Sequence, residues 1–155
     1  MDIKKEGSLS APNRDIVDWK SKSYLDEKAL DKEMRRQFEV CHGCRRCFNL
    51  CDSFPTLFDL IDDSPNESVG DLSTKDFEEI TDKCTLCDMC FMTKCPYVPP
   101  HEFNIDFPHL MLRYRTLQDK QKKLPQVPKE LAKIDRNANL AKISTRLANW
   151  SSNKK

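Results

Sequence analysis

Two runs of closely spaced cysteines constrain this 155-residue chain more than any other feature. The first run reads Cys41-His-Gly-Cys44-Arg-Arg-Cys47-Phe-Asn-Leu-Cys51, and the second reads Cys84-Thr-Leu-Cys87-Asp-Met-Cys90-Phe-Met-Thr-Lys-Cys95. Three cysteines at two-residue intervals, followed by a fourth, form a pattern that holds [4Fe–4S] clusters through thiolates. Because the pattern occurs twice, the sequence predicts two [4Fe–4S] clusters with all eight cysteines as ligands.

The fourth cysteine of each run is expected to cross over to the other cluster, because the remote cysteine does so in two-cluster ferredoxins. Cluster one would then be held by Cys41, Cys44, Cys47 and Cys95. Cluster two would be held by Cys84, Cys87, Cys90 and Cys51. The last gap is three residues in the first run and four in the second, and no proline follows Cys51. These departures from the ferredoxin pattern leave open which cluster takes Cys51 and which takes Cys95. All eight cysteines are still the expected ligands.

Zinc is the main alternative, because Cys-x-x-Cys pairs also build structural zinc sites. Zinc ribbons use well-separated pairs, so the third closely spaced cysteine of each run would be superfluous. Disulfides rank lower because the amino end has no apolar secretory signal. The three histidines, His42, His101 and His109, are not expected to be ligands, since the cysteines already complete two clusters.

The composition indicates a small domain that needs more than an apolar core. Only 38% of the residues are hydrophobic and 33% are charged, and small domains with weak cores often rely on metals for stability. No stretch approaches the roughly 20 apolar residues that span a bilayer. We therefore expect a soluble cytoplasmic protein, in which reduced thiols favour metal binding over disulfides.

Charge is strongly segregated along the chain. Residues 51–83 carry ten acidic and two basic side chains, whereas residues 118–155 carry ten basic and three acidic ones. This distribution suits docking to a charged partner, although solvated helices carry similar charges. It leaves open a second hypothesis, a zinc-stabilised interaction module whose tail binds nucleic acid, and a third, a cluster-based redox sensor. The cluster hypothesis itself predicts no nucleic-acid partner.

Apolar residues recur at helical spacing in several segments, which predicts a mostly α fold. The predicted helices cover residues 24–40, 55–61, 74–84 and 107–118, with a thinly apolar helical segment at 129–150. No phosphate loop, dinucleotide fingerprint or nucleophile–base arrangement occurs in the sequence. The chain is therefore expected to be a non-catalytic electron-transfer subunit of an oxidoreductase complex.

Residues beside the cysteines lead to further expectations. Gly43 would let the backbone approach a cluster closely, and Arg45 and Arg46 would add positive charge beside it. Apolar side chains next to the cysteines are expected to be core residues; these are Phe48, Met89, Phe91 and Met92. Trp19 is expected to anchor the polar amino-terminal arm.

The chain also resembles a known family over about residues 7–117. The motifs are Gly7-Ser-Leu, Asp18-Trp19, the first cysteine run, Ser53-Phe-Pro-Thr-Leu-Phe-Asp, Cys95-Pro-Tyr-Val-Pro-Pro-His and Asn104-Ile-Asp-Phe-Pro-His-Leu-Met-Leu-Arg. In these it resembles the iron–sulfur subunits of the anaerobic glycerol-3-phosphate dehydrogenase and heterodisulfide reductase group. The resemblance implies an α-helical ferredoxin that relays electrons between a flavoprotein dehydrogenase and a quinone pool or disulfide reductase.

Members of that group usually continue into Cys-Cys-Gly repeats, which this sequence lacks. The resemblance therefore implies either a fragment or a separate Cys-Cys-Gly-repeat subunit as a partner, and it leaves open a peripheral position at the inner face of the cell membrane. The predicted organisation is an extended arm at 1–23, an α-helical di-cluster ferredoxin domain with two cluster-binding loops at 24–118, and a basic, partly helical tail at 119–155.

Overall fold

The structure of the chain, a computed structural model, describes residues 10–121, 123 and 125–153. Residues 1–9 of the predicted arm lie outside the described residues. Within the described part, the chain is mostly helical and has no strand, which confirms the predicted mostly α class. No helix in this part is long and apolar enough to cross a membrane.

The chain divides into two compact units, Met1–Leu117 and Gln118–Lys155. The predicted three-part organisation stays a prediction. The α-helices of the described residues are α1 (Glu27–Cys44), α2 (Ser53–Asp62), α3 (Thr74–Lys83), α4 (Phe107–Lys120), α5 (Gln126–Leu131), α6 (Ile134–Ile143) and α7 (Thr145–Ser152). Shorter turns of helix lie at Lys22–Leu25, Val69–Asp71 and Cys90–Lys94.

Helix α1 carries the first cysteines on its last turn. It begins at an N-cap, Asp26, whose carboxylate accepts a hydrogen bond from the Ala29 N–H at 2.7 Å. It ends because Arg45 adopts a left-handed conformation with φ of 51°, and the Arg45 N–H donates to the Cys41 carbonyl. The helix is therefore four residues longer than its predicted end at Val40. Cys41 and Cys44 thus lie on a helix rather than in a loop.

Helices α2 and α3 pack against each other. Helix α2 begins at Ser53, ahead of the predicted start, because a proline at position 55 is tolerated within the first helical turn. The buried Ser53 hydroxyl donates to the Ile80 carbonyl at 2.8 Å. This bond joins the start of α2, just after Cys51, to the end of α3, just before Cys84.

The start of α3 carries a capping box. Ser73 accepts a hydrogen bond from the Asp76 N–H, and the Asp76 carboxylate accepts one from the Ser73 N–H at 2.6 Å. We expect Ser73→Ala to lower the free energy of unfolding by about 1 kcal/mol, because it leaves a helix-end N–H unpaired. The midpoint of urea unfolding measures this loss. Thr74→Ala is the matched control, and an equal loss in both variants would contradict the capping role.

Helices α1 to α4 enclose a core centred on Phe38. The Phe38 ring lies 5.6 Å from the Phe77 ring and 6.0 Å from the Phe107 ring, measured between centroids. Other fully buried side chains of this core are Leu30, Met34, Phe54, Leu57, Phe58, Ile61, Ile80 and Met111. The four helices that enter or leave the cysteine runs are therefore held by one apolar cluster.

The second unit contains the short helices α5, α6 and α7, which lie in the tail predicted to be partly helical. Among its described side chains, five large apolar ones are exposed; these are Val127, Leu131, Ile134, Leu140 and Trp150. Within this unit Glu130 accepts hydrogen bonds from Lys133 and Arg136. The surface of this unit thus carries charged side chains with scattered apolar ones among them, as the sequence pattern predicted.

Candidate metal centre

The eight cysteines lie around two separate cavities in the first unit. The first cavity is lined by four of them, Cys41, Cys44, Cys47 and Cys95. The second is lined by the other four, Cys51, Cys84, Cys87 and Cys90. Each cavity therefore combines three cysteines of one run with the last cysteine of the other run.

Burial and mutual repulsion both act on these thiols. Burial raises the pKa of Cys41, and the neighbouring Cys95 and Cys47 raise it further. In the second set, burial raises the pKa of Cys84, with a smaller contribution from Cys51. Thiols gathered in this way resist deprotonation unless positive charge is supplied, and a bound metal supplies it.

Backbone N–H groups point at several of the sulfur atoms. The Leu86 N–H donates to Cys84, and the Phe91 N–H donates to Cys90. The Met89 N–H donates to Cys87 and lowers the pKa of that thiol, and the N–H groups of Tyr97 and Val98 donate to Cys95. Such donors stabilise negative charge on sulfur. At Cys84, Cys90 and Cys95 these N–H groups therefore offset part of the rise in thiol pKa that burial causes.

The backbone around Cys87 has an unusual conformation. Leu86 and Asp88, on either side of it, adopt left-handed conformations with φ of 55° and 61°. Left-handed residues other than glycine are uncommon and are found where the surrounding structure imposes them. Within this turn the N–H groups of Cys87 and Met89 donate to the Cys87 sulfur. No glycine marks this turn in the sequence, so the sequence pattern did not predict it.

Arg14 links the amino-terminal arm to the second cysteine run, which sequence reasoning missed. Its guanidinium donates two hydrogen bonds to Asp88, at 2.8 and 3.0 Å, and two to Asp106, at 2.8 and 3.1 Å. It also lies 3.9 Å from the centre of the Phe91 ring. The predicted anchor, Trp19, is 65% exposed, so that prediction is wrong. A lone arginine in a polar segment has no periodicity that would reveal partners 74 and 92 residues away.

We expect Arg14→Gln to loosen the second cysteine run. The loss of charge-assisted hydrogen bonds should lower the free energy of unfolding by about 1 to 3 kcal/mol. Amide hydrogen exchange should accelerate in residues 84–91 and in the arm. Lys20→Gln, an exposed charge change in the same arm, is the control. Unchanged exchange in residues 84–91 would show that Arg14 does not position this run.

The histidines have other partners. His42 Nε2 lies 2.8 Å from the Asp62 carboxylate, and His109 Nδ1 lies 3.1 Å from the Asp106 carboxylate. His101 Nδ1 accepts a hydrogen bond from the Phe103 N–H. In the part of the chain that the structure describes, none of the three lines either cysteine cavity.

The arginines of the first run have different surroundings. Arg45 pairs with Asp62, and this pairing together with His42 lowers the pKa of Asp62 to about 2. Arg46 lines the first cavity instead, and its charge opposes the rise in the pKa of Cys95 that burial causes. Positive charge is therefore available at the first cavity from Arg46.

Several side chains predicted to be core residues are exposed. Phe48 is 53% exposed, Met89 46% and Met92 59%, whereas Phe91 is buried as predicted. Gly43 lies on α1, where an added Cβ would meet no atom within 4 Å. The close approach of the Gly43 backbone to a cluster stays a prediction.

The fold and the site define a mostly helical protein with two cavities, each lined by four cysteines. Among the described residues, no group of three or more His, Cys, Asp or Glu side chains forms a ready metal-ion site. The chain is similar to citrate utilization protein B of Escherichia coli, at 29% identity over 85 residues. This match covers 55% of the chain and 20% of that protein, so the chain matches about a fifth of its relative's length. No protein-family profile and no solved structure matches the chain.

Proposed function

We propose that this chain is an electron-transfer iron–sulfur protein or subunit that carries two [4Fe–4S] clusters. The observation that carries the proposal is the grouping of the cysteines, three from one run and the last from the other around each cavity. This exchange is the ligand pattern of two-cluster ferredoxins. Zinc ribbons draw two cysteines from each of two separated pairs, so they do not explain a three-plus-one grouping.

The donor set and its surroundings fit such clusters. When bound, a [4Fe–4S] cluster takes up and releases an electron at a potential that its surroundings set. The cysteines would hold its iron corners as thiolates, and the backbone N–H groups at Cys84, Cys87, Cys90 and Cys95 would offset the negative charge. Cys87 is exposed, which brings one edge of the second site to the protein surface.

The relay partners are proposed from the sequence resemblance. Membership of the anaerobic glycerol-3-phosphate dehydrogenase and heterodisulfide reductase group would place the chain between a flavoprotein dehydrogenase and a quinone pool or disulfide reductase. A Cys-Cys-Gly-repeat subunit would lie beside this chain. The complex would be cytoplasmic, or peripheral at the inner face of the cell membrane.

Metal and sulfide analysis of the anaerobically purified protein tests the proposal. About eight iron atoms and eight sulfide ions per chain are expected, together with dithionite bleaching of the visible absorbance. About two zinc ions per chain without sulfide would instead support the zinc-stabilised module. In that case, binding to DNA that weakens steeply with salt would identify the basic tail as a nucleic-acid site.

A further inference from the structure

One aromatic side chain, Phe54, lines both cysteine cavities, and it is the one residue common to both linings in the described chain. Its ring is only 2% exposed. Two neighbouring aromatic residues each belong to a single cavity. Phe58 lines the first and Phe107 lines the second. Phe54 therefore lies between the two sites, with Phe58 beside it at the first cavity and Phe107 beside it at the second.

The fold holds Phe54 firmly in this position. It occupies the first turn of α2, immediately after Ser53, whose hydroxyl is bonded to α3. Its ring centroid lies 4.6 Å from that of Phe107 and 6.1 Å from that of Phe58. A close-packed aromatic ring in this position excludes water from the space that it fills.

The two cavities share this one apolar wall, so a charge held in one cavity faces a charge held in the other across the Phe54 ring. Charges interact more strongly through an apolar medium than through water. The side chain that fills the space between the two cavities therefore affects the strength of the electrostatic interaction between charges held in them.

We infer that the Phe54 ring is the partition between the two cluster sites and sets the strength of the interaction between them. The inference rests on the proposed function and assigns Phe54 a positioning role. Reduction adds negative charge to each site, and the apolar ring leaves the repulsion between these charges poorly screened. A smaller side chain would let water or mobile side chains enter and would weaken that repulsion.

Redox titration of the holoprotein, followed by electron paramagnetic resonance, tests the inference. Phe54→Leu is compared with Phe58→Leu and Phe107→Leu, which remove the same ring volume from one cavity only. Single-cluster proteins made by Cys51→Ala and Cys95→Ala assign the signals to the two sites. Phe54→Met provides a second variant of the shared position with a flexible side chain of similar length.

In the Phe54 variants both reduction potentials are expected to shift and their separation to narrow. Each control is expected to shift mainly the potential of the site that it lines. Loss of iron from both sites in the Phe54 variants, with loss from at most one site in each control, would equally support the shared role. A shift at one site only, or controls that shift both potentials as much, would overturn the inference. Absence of iron and sulfide from the wild-type protein would overturn the proposed function instead.

Discussion

Replacing Cys95 with alanine in a chain that already lacks Cys41 is expected to remove no further iron. Both residues line the first cavity, so the cluster lost with Cys41 cannot be lost a second time. The single variant Cys41→Ala should keep about four of about eight iron atoms per chain, and the Cys41→Ala/Cys95→Ala variant should keep the same four. The second set, including Cys51, is intact in both proteins.

The matched comparison replaces Cys51 instead of Cys95 in the same background. Cys51 lines the second cavity, so the Cys41→Ala/Cys51→Ala variant should lose nearly all its iron and sulfide. The effects of two substitutions add when the residues belong to separate sites and do not add when they belong to the same site. Comparing the two double variants therefore shows which cysteines share a cluster. The reverse pattern, with complete loss in the Cys95 pair and half loss in the Cys51 pair, would show that each run holds its own cluster.

Phe38→Ala is expected to lower the free energy of unfolding by about 3 to 5 kcal/mol, the usual cost of removing a buried phenylalanine ring. Phe38 is fully buried on α1 and contacts the rings of Phe77 on α3 and Phe107 on α4. Its loss would leave a cavity at the point where three helices meet. Because α1 and α3 lead directly into the cysteine runs, iron retention should also fall.

The measurement is anaerobic urea unfolding of proteins prepared in parallel, with iron content determined for each. Phe48→Ala is the matched control, since Phe48 is 53% exposed and its removal leaves no buried cavity. We expect this control to cost less than about 1 kcal/mol. Similar unfolding midpoints for the two variants would contradict the placement of Phe38 at the centre of the core.

The helical class followed from local sequence patterns. Apolar residues at three- to four-residue spacing predicted segments that correspond to α1, α2, α3 and α4, because this spacing gives a helix one face to bury. Helix ends were less predictable. The end of α1 depends on the left-handed Arg45, and arginine carries no signal for that conformation, so the predicted end at Val40 was four residues short.

The cysteine spacing by itself determined the candidate ligands but left open which site takes Cys51 and Cys95. The fold places Cys95 with the first run and Cys51 with the second. The identity of the metal stays a prediction. The tertiary structure decided what surrounds those cysteines. Examples are the contact of Arg14 with Asp88, the exposure of Met89 and the place of Phe54 between the cavities. Spacing is a local property that a linear pattern records. Contacts between residues far apart in the chain depend on how the helices pack, which no local pattern contains.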